Sequence, residues 1–328
     1  MAKLKPIVDV FVDAAKKWTD DRATRLGAAL AYYTLFSMAP LLILLSGFIG
    51  RFLGEFFSVD EISRQIELVI GADAAEWIMS IIDGASTPTS FTIATLISLA
   101  IMFWGASNIF NHLKETLNFM WGVKAKPGAG FGILVFVRGR LLAFAIVLIA
   151  GVLFAVYFLA NTAISIAIPL INSYVPDAWE VVPVWRTIQA VQLAVAFLIV
   201  TLLFALFYKI LPDVKIKWRD VWVGAAVTSL LFGIGTVALS IYLSFSSIGS
   251  LYGAAGSILV ILMWVNYSAQ IFLYGVEFTY IYTTRHGAQI VPASLAVSVR
   301  EPNGEVVDEP DDMEKGPKAE TANAPITR

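Results

Sequence analysis

The stretch from Val221 to Val276 contains no Asp, Glu, Lys or Arg. As a single α-helix it would be roughly 84 Å long, against about 30 Å of hydrocarbon in a bilayer. One crossing cannot hold it, so the run has to turn. The Ser- and Gly-rich segment SFSSIGSLYGAAGS (244–257) suits a turn and close packing. Two membrane helices follow, over about 221–243 and 254–282.

Other uncharged runs fit the same pattern. Gly27–Gly50 is one span. Gly84–Asn111 holds a second, centred on 90–107; Leu141 to about Asn161 is a third, and Thr187–Tyr208 a fourth. The chain is 58% apolar and 15% charged, where soluble domains average about 25% charged. The predicted fold class is all-α: a polytopic membrane protein with six transmembrane helices and amphipathic surface helices.

Lys and Arg set the orientation. All 23 of them sort by loop. Six precede the first span, five lie between spans 2 and 3 (including Arg138 and Arg140), four between spans 4 and 5, and five after span 6. The opposite side has only Arg51, Arg64 and Arg186. This alternation would be scrambled by a wrong span count, so both termini are expected in the cytoplasm. The chain divides into a cytoplasmic amphipathic segment (1–26), a transmembrane domain (27–287) and a disordered acidic cytoplasmic tail (288–328), whose residues 301–320 contain eight acids. Residues 1–26 are charged throughout, and no cleavable signal is expected.

In the first segment, Ile7, Val8, Phe11, Ala15 and Trp18 fall on one helical face beside Lys16 and Lys17, as in a helix lying on the membrane surface. Between spans 1 and 2, Ser58-x-x-Glu61 and Asp73-x-x-Glu76 start two short amphipathic helices. These shield the mouth of the bundle, lie in the head groups, or form a lid over a transport path. Helix 2 continues as an amphipathic segment through Trp121, and the 3–4 loop sets Trp179 and Trp185 at the interface.

Polar groups inside lipid are expensive, so they are the first candidates for function. Tyr267, Gln270, Tyr274 and Glu277 recur at spacings of three and four on span 6, flanked by Asn266, and Glu277 is the one charged residue inside a span. This stripe either lines a transport path or joins helices, with Arg138 or Arg140 as ion-pair partners for Glu277 or as head-group contacts. Span 1 carries Tyr32, Tyr33, Ser37 and Pro40; Pro40 frees a backbone carbonyl that can line a cavity or be absorbed in packing.

The chemistry of enzymes is missing. There is no Walker loop, HExxH or GxSxG, and no Cys; the two histidines, His112 and His286, are far apart. No cofactor or metal is expected, and a net charge of −2 gives no field for nucleic acid. Without an ATP site, any transport would be gradient-driven, passive or energised by a partner.

Four ordered segments carry a resemblance: GAALAYYTLFSMAPLLILL (27–45), IFNHLKETLNFMWGV (109–123), YKILPDVKIKWRDVWVGA (208–225) and SLYGAAGSILVILMWVNYSAQIFLYGVEF (250–278). Over roughly residues 10–287 the chain resembles the YihY/virulence factor BrkB family of bacterial inner-membrane proteins. The resemblance implies a six-span helical fold and a multi-pass location in the inner membrane. Some members have carried a ribonuclease BN label, regarded as an error. Other members are linked to serum resistance, and relatives to movement of lipids or lipopolysaccharide precursors. The family supplies no catalytic set. The motif positions to watch are Tyr32, Tyr33, Pro40, Trp121, Pro212, Trp218, Asp220, Tyr252, Gly253, Gly256, Tyr267 and Glu277. The expected function is a transporter of lipid-like or other envelope-related molecules, in contact with membrane lipids. The alternatives are a scaffold with envelope-protein partners, or a small-solute exporter or channel.

Overall fold

A computed structural model describes residues 5–53, 110–125, 184–245, 254–286, 290–293 and 296–299, with scattered helical positions between 63 and 80 and between 141 and 164. The described chain is mostly helical: α1 (Lys5–Asp20), α2 (Ala23–Leu53), a helix over 110–120, α3 (Val184–Ile210), α4 (Trp218–Phe245) and α5 (Ala254–Arg285). Four short strands complete it: β1 (Val123–Ala125), β2 (Val214–Lys215), β3 (Val291–Pro292) and β4 (Ala296–Ser298).

Among the described residues, three helices are long and apolar enough to cross a membrane: Gln189–Ile210, Trp218–Leu243 and Gly256–Arg285. They match the last three expected spans, each within a few residues. The uncharged run Gly27–Gly50 lies wholly within α2, which continues as helix through Pro40. The second span lies almost wholly outside the described residues, and the third contributes a short apolar helix at Leu148–Tyr157.

Small residues let the long helices approach. A Cβ on Gly224 of α4 would collide with the Thr279 side chain of α5, and one on Gly275 of α5 would collide with Thr228 and Tyr208. These contacts bring backbones together where lipid supplies no hydrophobic drive between helices. The hydroxyls beside them are satisfied locally: Thr228 donates to Gly224 O at 2.8 Å and Thr279 to Gly275 O at 2.7 Å. Tyr208 of α3 is fully buried, its single hydroxyl hydrogen lying between Phe272 O (2.9 Å) and Thr228 Oγ1 (3.0 Å). One face of α4 is left apolar and exposed, through Leu230, Ile234, Val237, Ile241 and Phe245. Spacings of three and four keep these side chains on one side, as a lipid-facing stripe requires.

At the end carrying Lys209, Lys215 and Lys217, here the basic end, the loops are tied together. β1 pairs antiparallel with β4, and β2 with β3. Asp213 accepts from Asn118 (3.0 Å) and pairs with Lys114 (2.9 Å), its N–H donates to Asn118 Oδ1 (2.8 Å), and its carbonyl accepts from Ala293 N–H (2.8 Å). Residues 290–293 and 296–299 are thus part of the fold, and the expected tail boundary at 288 lies too early. Ile290, Val291, Val297 and Val299 give this segment enough β-branched character for strand pairing.

Helix α1 packs on α5, and its inward face differs from the one expected. Val10 and Ala14 are buried, with Lys17 and Asp21 following at helical spacing, while Val8 and Ala15 are exposed. Phe11 meets Phe278 at 4.8 Å between ring centroids, alongside Val223 and Val227 of α4. The helix lies against protein because α4 and α5 offer an apolar groove there, which periodicity in α1 alone cannot reveal. At the opposite end, Ile78 of the stretch 75–80 is buried with Ala31, Val260, Ile261 and Val265. Part of the expected second loop helix thus packs on the bundle there; the other described positions of that loop are few.

Candidate functional site

The most constrained polar group is Glu277, on α5, whose side chain is 0% exposed. Its partner is Lys17, with Nζ 2.7 Å from Oε2 and the Lys17 side chain only 14% exposed. Lys17 also pairs with Asp21 at 2.6 Å, a side chain 7% exposed. The same ammonium donates to Met120 O at 3.0 Å and lies 4.4 Å from the centre of the Tyr280 ring. One cation thus serves two carboxyl groups, a carbonyl and an aromatic face.

Local chain geometry places Asp21. Helix α1 ends with Asp21 N–H donating to Lys17 O at 2.9 Å, and Arg22 then takes φ 52°. A side-chain-bearing residue in that left-handed region costs about 1–2 kcal/mol. The turn sends the chain into α2 through the buried Ala23 and keeps the Asp21 carboxyl inside. Asp21 and Lys17, four apart, lie on one helix face.

The span 6 stripe rises from this cluster, and three of its members touch other helices. Tyr274 donates to Phe11 O of α1 (3.0 Å). Gln270 donates to Thr24 O of α2 (3.2 Å) and lies against Gly27. Tyr267 lies against Gly235 of α4, where a Cβ would collide with its hydroxyl. All three, with Asn266, are only half-buried. Gln270 Oε1 is buried without a hydrogen-bond partner.

The span 1 candidates are arranged differently. Tyr33 stacks on His112 at 3.6 Å between centroids, Tyr32 is exposed beside Phe36, and Ser37 is buried. Pro40 lies inside α2, and its side chain is outside what is described, as are Arg138 and Arg140. The charge opposite Glu277 comes from Lys17.

Lys17 and Asp21 were absent from the sequence-based candidates. Hydropathy assigns such residues to the outer face of an amphipathic helix. The signal available was their i,i+4 spacing in register with Val10 and Ala14. Among the described residues, no group of three or more His, Cys, Asp or Glu could hold a metal.

The virulence factor BrkB family model matches residues 14–299, which includes the strand-forming segment at the end of the fold. The chain is similar to a UPF0761 membrane protein of Stenotrophomonas maltophilia, at 28% identity over 260 residues, 76% of this chain and 55% of that protein. It is similar to one from Aeromonas salmonicida at 25% over 274 residues (80% and 85%), and to one from Mannheimia succiniciproducens at 22% over 289 residues (85% and 90%). The chain spans about half the length of the Stenotrophomonas relative. No solved structure matches. With 14–299 of 328 residues matched and apolar helices of membrane-crossing length, the chain is a membrane protein of the virulence factor BrkB family.

Proposed function

We propose that this protein moves lipid-like or other envelope-related molecules across the bacterial inner membrane, with six spans, its basic end in the cytoplasm and no catalytic chemistry of its own. The observation that carries this reading is the half-buried polar stripe Tyr267, Gln270 and Tyr274 leading to the buried Lys17–Asp21–Glu277 cluster. Polar groups kept in a span are costly and mark substrate paths. A stripe that is half-buried, beside exposed apolar faces, suits a polar head group moving along protein while its chains stay in lipid. The basic end fits the cytoplasmic side by the positive-inside rule.

The test uses the full chain in liposomes carrying a head-group-labelled phospholipid, with leaflet exchange followed by quenching from outside. Liposomes with protein should exchange label several-fold faster than empty ones, and Gln270→Leu should remove most of the gain. Equal rates with and without protein would sink the proposal.

A second reading is a scaffold for an envelope complex. The bonds from Tyr274 and Gln270 to neighbouring backbones favour it, since they use the stripe to join helices. It predicts a reproducible partner in crosslinking and no lipid movement. A small-solute exporter would instead need a continuous wet path, open to cysteine scanning because the chain has no cysteine.

A further inference from the structure

We infer that the basic end of α4 is a binding site for an anionic glycerophospholipid, whose phosphate is held by Lys217 and Arg219 and whose chains lie along the exposed apolar face of the same helix. Trp222 is exposed, and steps of three and four from it reach the half-buried Ala226 and the exposed Leu230, Ile234, Val237 and Ile241. The tryptophan therefore stands at the head of the lipid-facing stripe of a helix of membrane-crossing length. Arg219 precedes it by three residues and Trp218 by four, which sets both one turn further out on the same side.

Depth along the helix follows the layers of a lipid. Leu230 lies roughly 16 Å beyond Arg219 along the axis, against about 20 Å for one leaflet with its head groups. The cations come first, the two indoles next, and branched aliphatic side chains after them. The indoles, 46% exposed at Trp218 and 40% at Trp222, suit the level of the lipid esters, where the ring meets hydrocarbon and the N–H meets oxygen. A guanidinium offers two parallel N–H donors to a phosphate, and an ammonium beside it adds charge.

The cations are available. Val214 and Ile216 are buried while Lys215 and Lys217 are exposed, so the extended stretch before α4 turns both lysines outward. Arg219 is exposed as well. Among the described residues, none of these three is in an ion pair. Their acidic neighbours are engaged or turned in: Asp213 is held by Lys114 and Asn118, and Asp220 is buried. Lys209 braces the turn, donating to Ile216 O and lying 5.6 Å from the centre of the Trp218 ring. Three uncompensated positive charges favour a head group of net negative charge over a zwitterionic one, whose own cation they repel.

The site does not depend on lipid movement, and its test measures none. Purified full-length protein in detergent micelles is titrated with phosphatidylglycerol or phosphatidylcholine of identical chains, and the affinity for the first bound lipid is read by native mass spectrometry. Each basic residue beside a negative head group is worth roughly five-fold in affinity, so phosphatidylglycerol should bind roughly ten-fold tighter or more. Lys217→Gln combined with Arg219→Gln should erase most of that preference. Removing the same charge from exposed positions elsewhere, with Arg25→Gln and Lys124→Gln, should leave it intact. Trp222→Ala should weaken both lipids by a similar factor, since the indole meets the part they share. Equal affinity for the two lipids would overturn the proposal. So would an equal loss of preference in the two charge variants, because that describes a diffuse field and not a site. Full competition by glycerophosphoglycerol, the same head group without chains, would overturn it too, because the apolar face would then play no part. Should the Lys217 and Arg219 variant fail to fold, Trp222→Ala and the competition still decide.

Discussion

The basic end and the interior of the α3–α4–α5 bundle hold polar groups by opposite means. In the bundle, the hydroxyls of Thr228, Thr279 and Tyr208 turn to a carbonyl one turn earlier or to the adjacent helix, and glycines remove the bulk that would keep the helices apart. At the basic end, groups distant in sequence meet: Lys17 with Glu277, Asn118 with Asp213, and strand β1 with β4. The bundle is stabilised by shape with neutral bonds. The basic end is stabilised by charge with long-range bonds. Substitutions in the two regions should therefore fail for different reasons, and the difference is measurable.

The largest expected effect is at Lys17. Lys17→Met leaves two buried carboxyls without their cation, and breaking a buried pair from one side costs about 3–5 kcal/mol. Thermal unfolding in detergent should show a large drop, most of it recovered when Asp21→Asn and Glu277→Gln are added. A small drop would mean that charge does not dominate this end. Next comes the bundle. Gly275→Ala sets a methyl against Tyr208 and Thr228 and should cost about 1–3 kcal/mol. Gly233→Ala, with nothing within 4 Å, should be neutral or stabilising by about 0.5–1 kcal/mol through helix propensity. Equal melting points for the two variants would break the claim that glycine works there by shape. The smallest effect is expected for Lys16→Ala. Its pair with Asp13 spans 3.6 Å with side chains 70% and 36% exposed, and solvent leaves such a contact worth less than about 0.5 kcal/mol. Lys16 and Lys17 are adjacent in sequence, so this contrast separates burial from charge.

The same contrast explains what the sequence could tell. Spans 4 to 6 were legible because length and absence of charge are local properties, and α3, α4 and α5 extend only a few residues beyond the expected limits. The stripe on α5 was legible from spacing. Its partners were not, because spacing reports a face and not what meets it. For Glu277, Arg138 and Arg140 were candidate partners, while the cation described beside it, Lys17, lies 260 positions away. In α1 the face that docks includes Lys17 and Asp21 beside Val10 and Ala14, and transfer energies send such charged residues outward. The strands at 291–292 and 296–298 were hidden by the acidic residues that follow, since composition averaged over a tail conceals a few β-branched residues at its start.

The Lys17–Glu277 pair also carries a statement about biosynthesis. A ribosome makes about 5–20 residues per second, so Lys17 emerges roughly tens of seconds before the carboxylate it will bind. Until then α1 has no α4–α5 groove to enter, and the face carrying Val10 and Ala14 stays uncovered. Docking of α1, together with closure of β4 onto β1, is then among the last steps of assembly, and a ribosome-stalled chain lacking α5 should leave α1 open to protease.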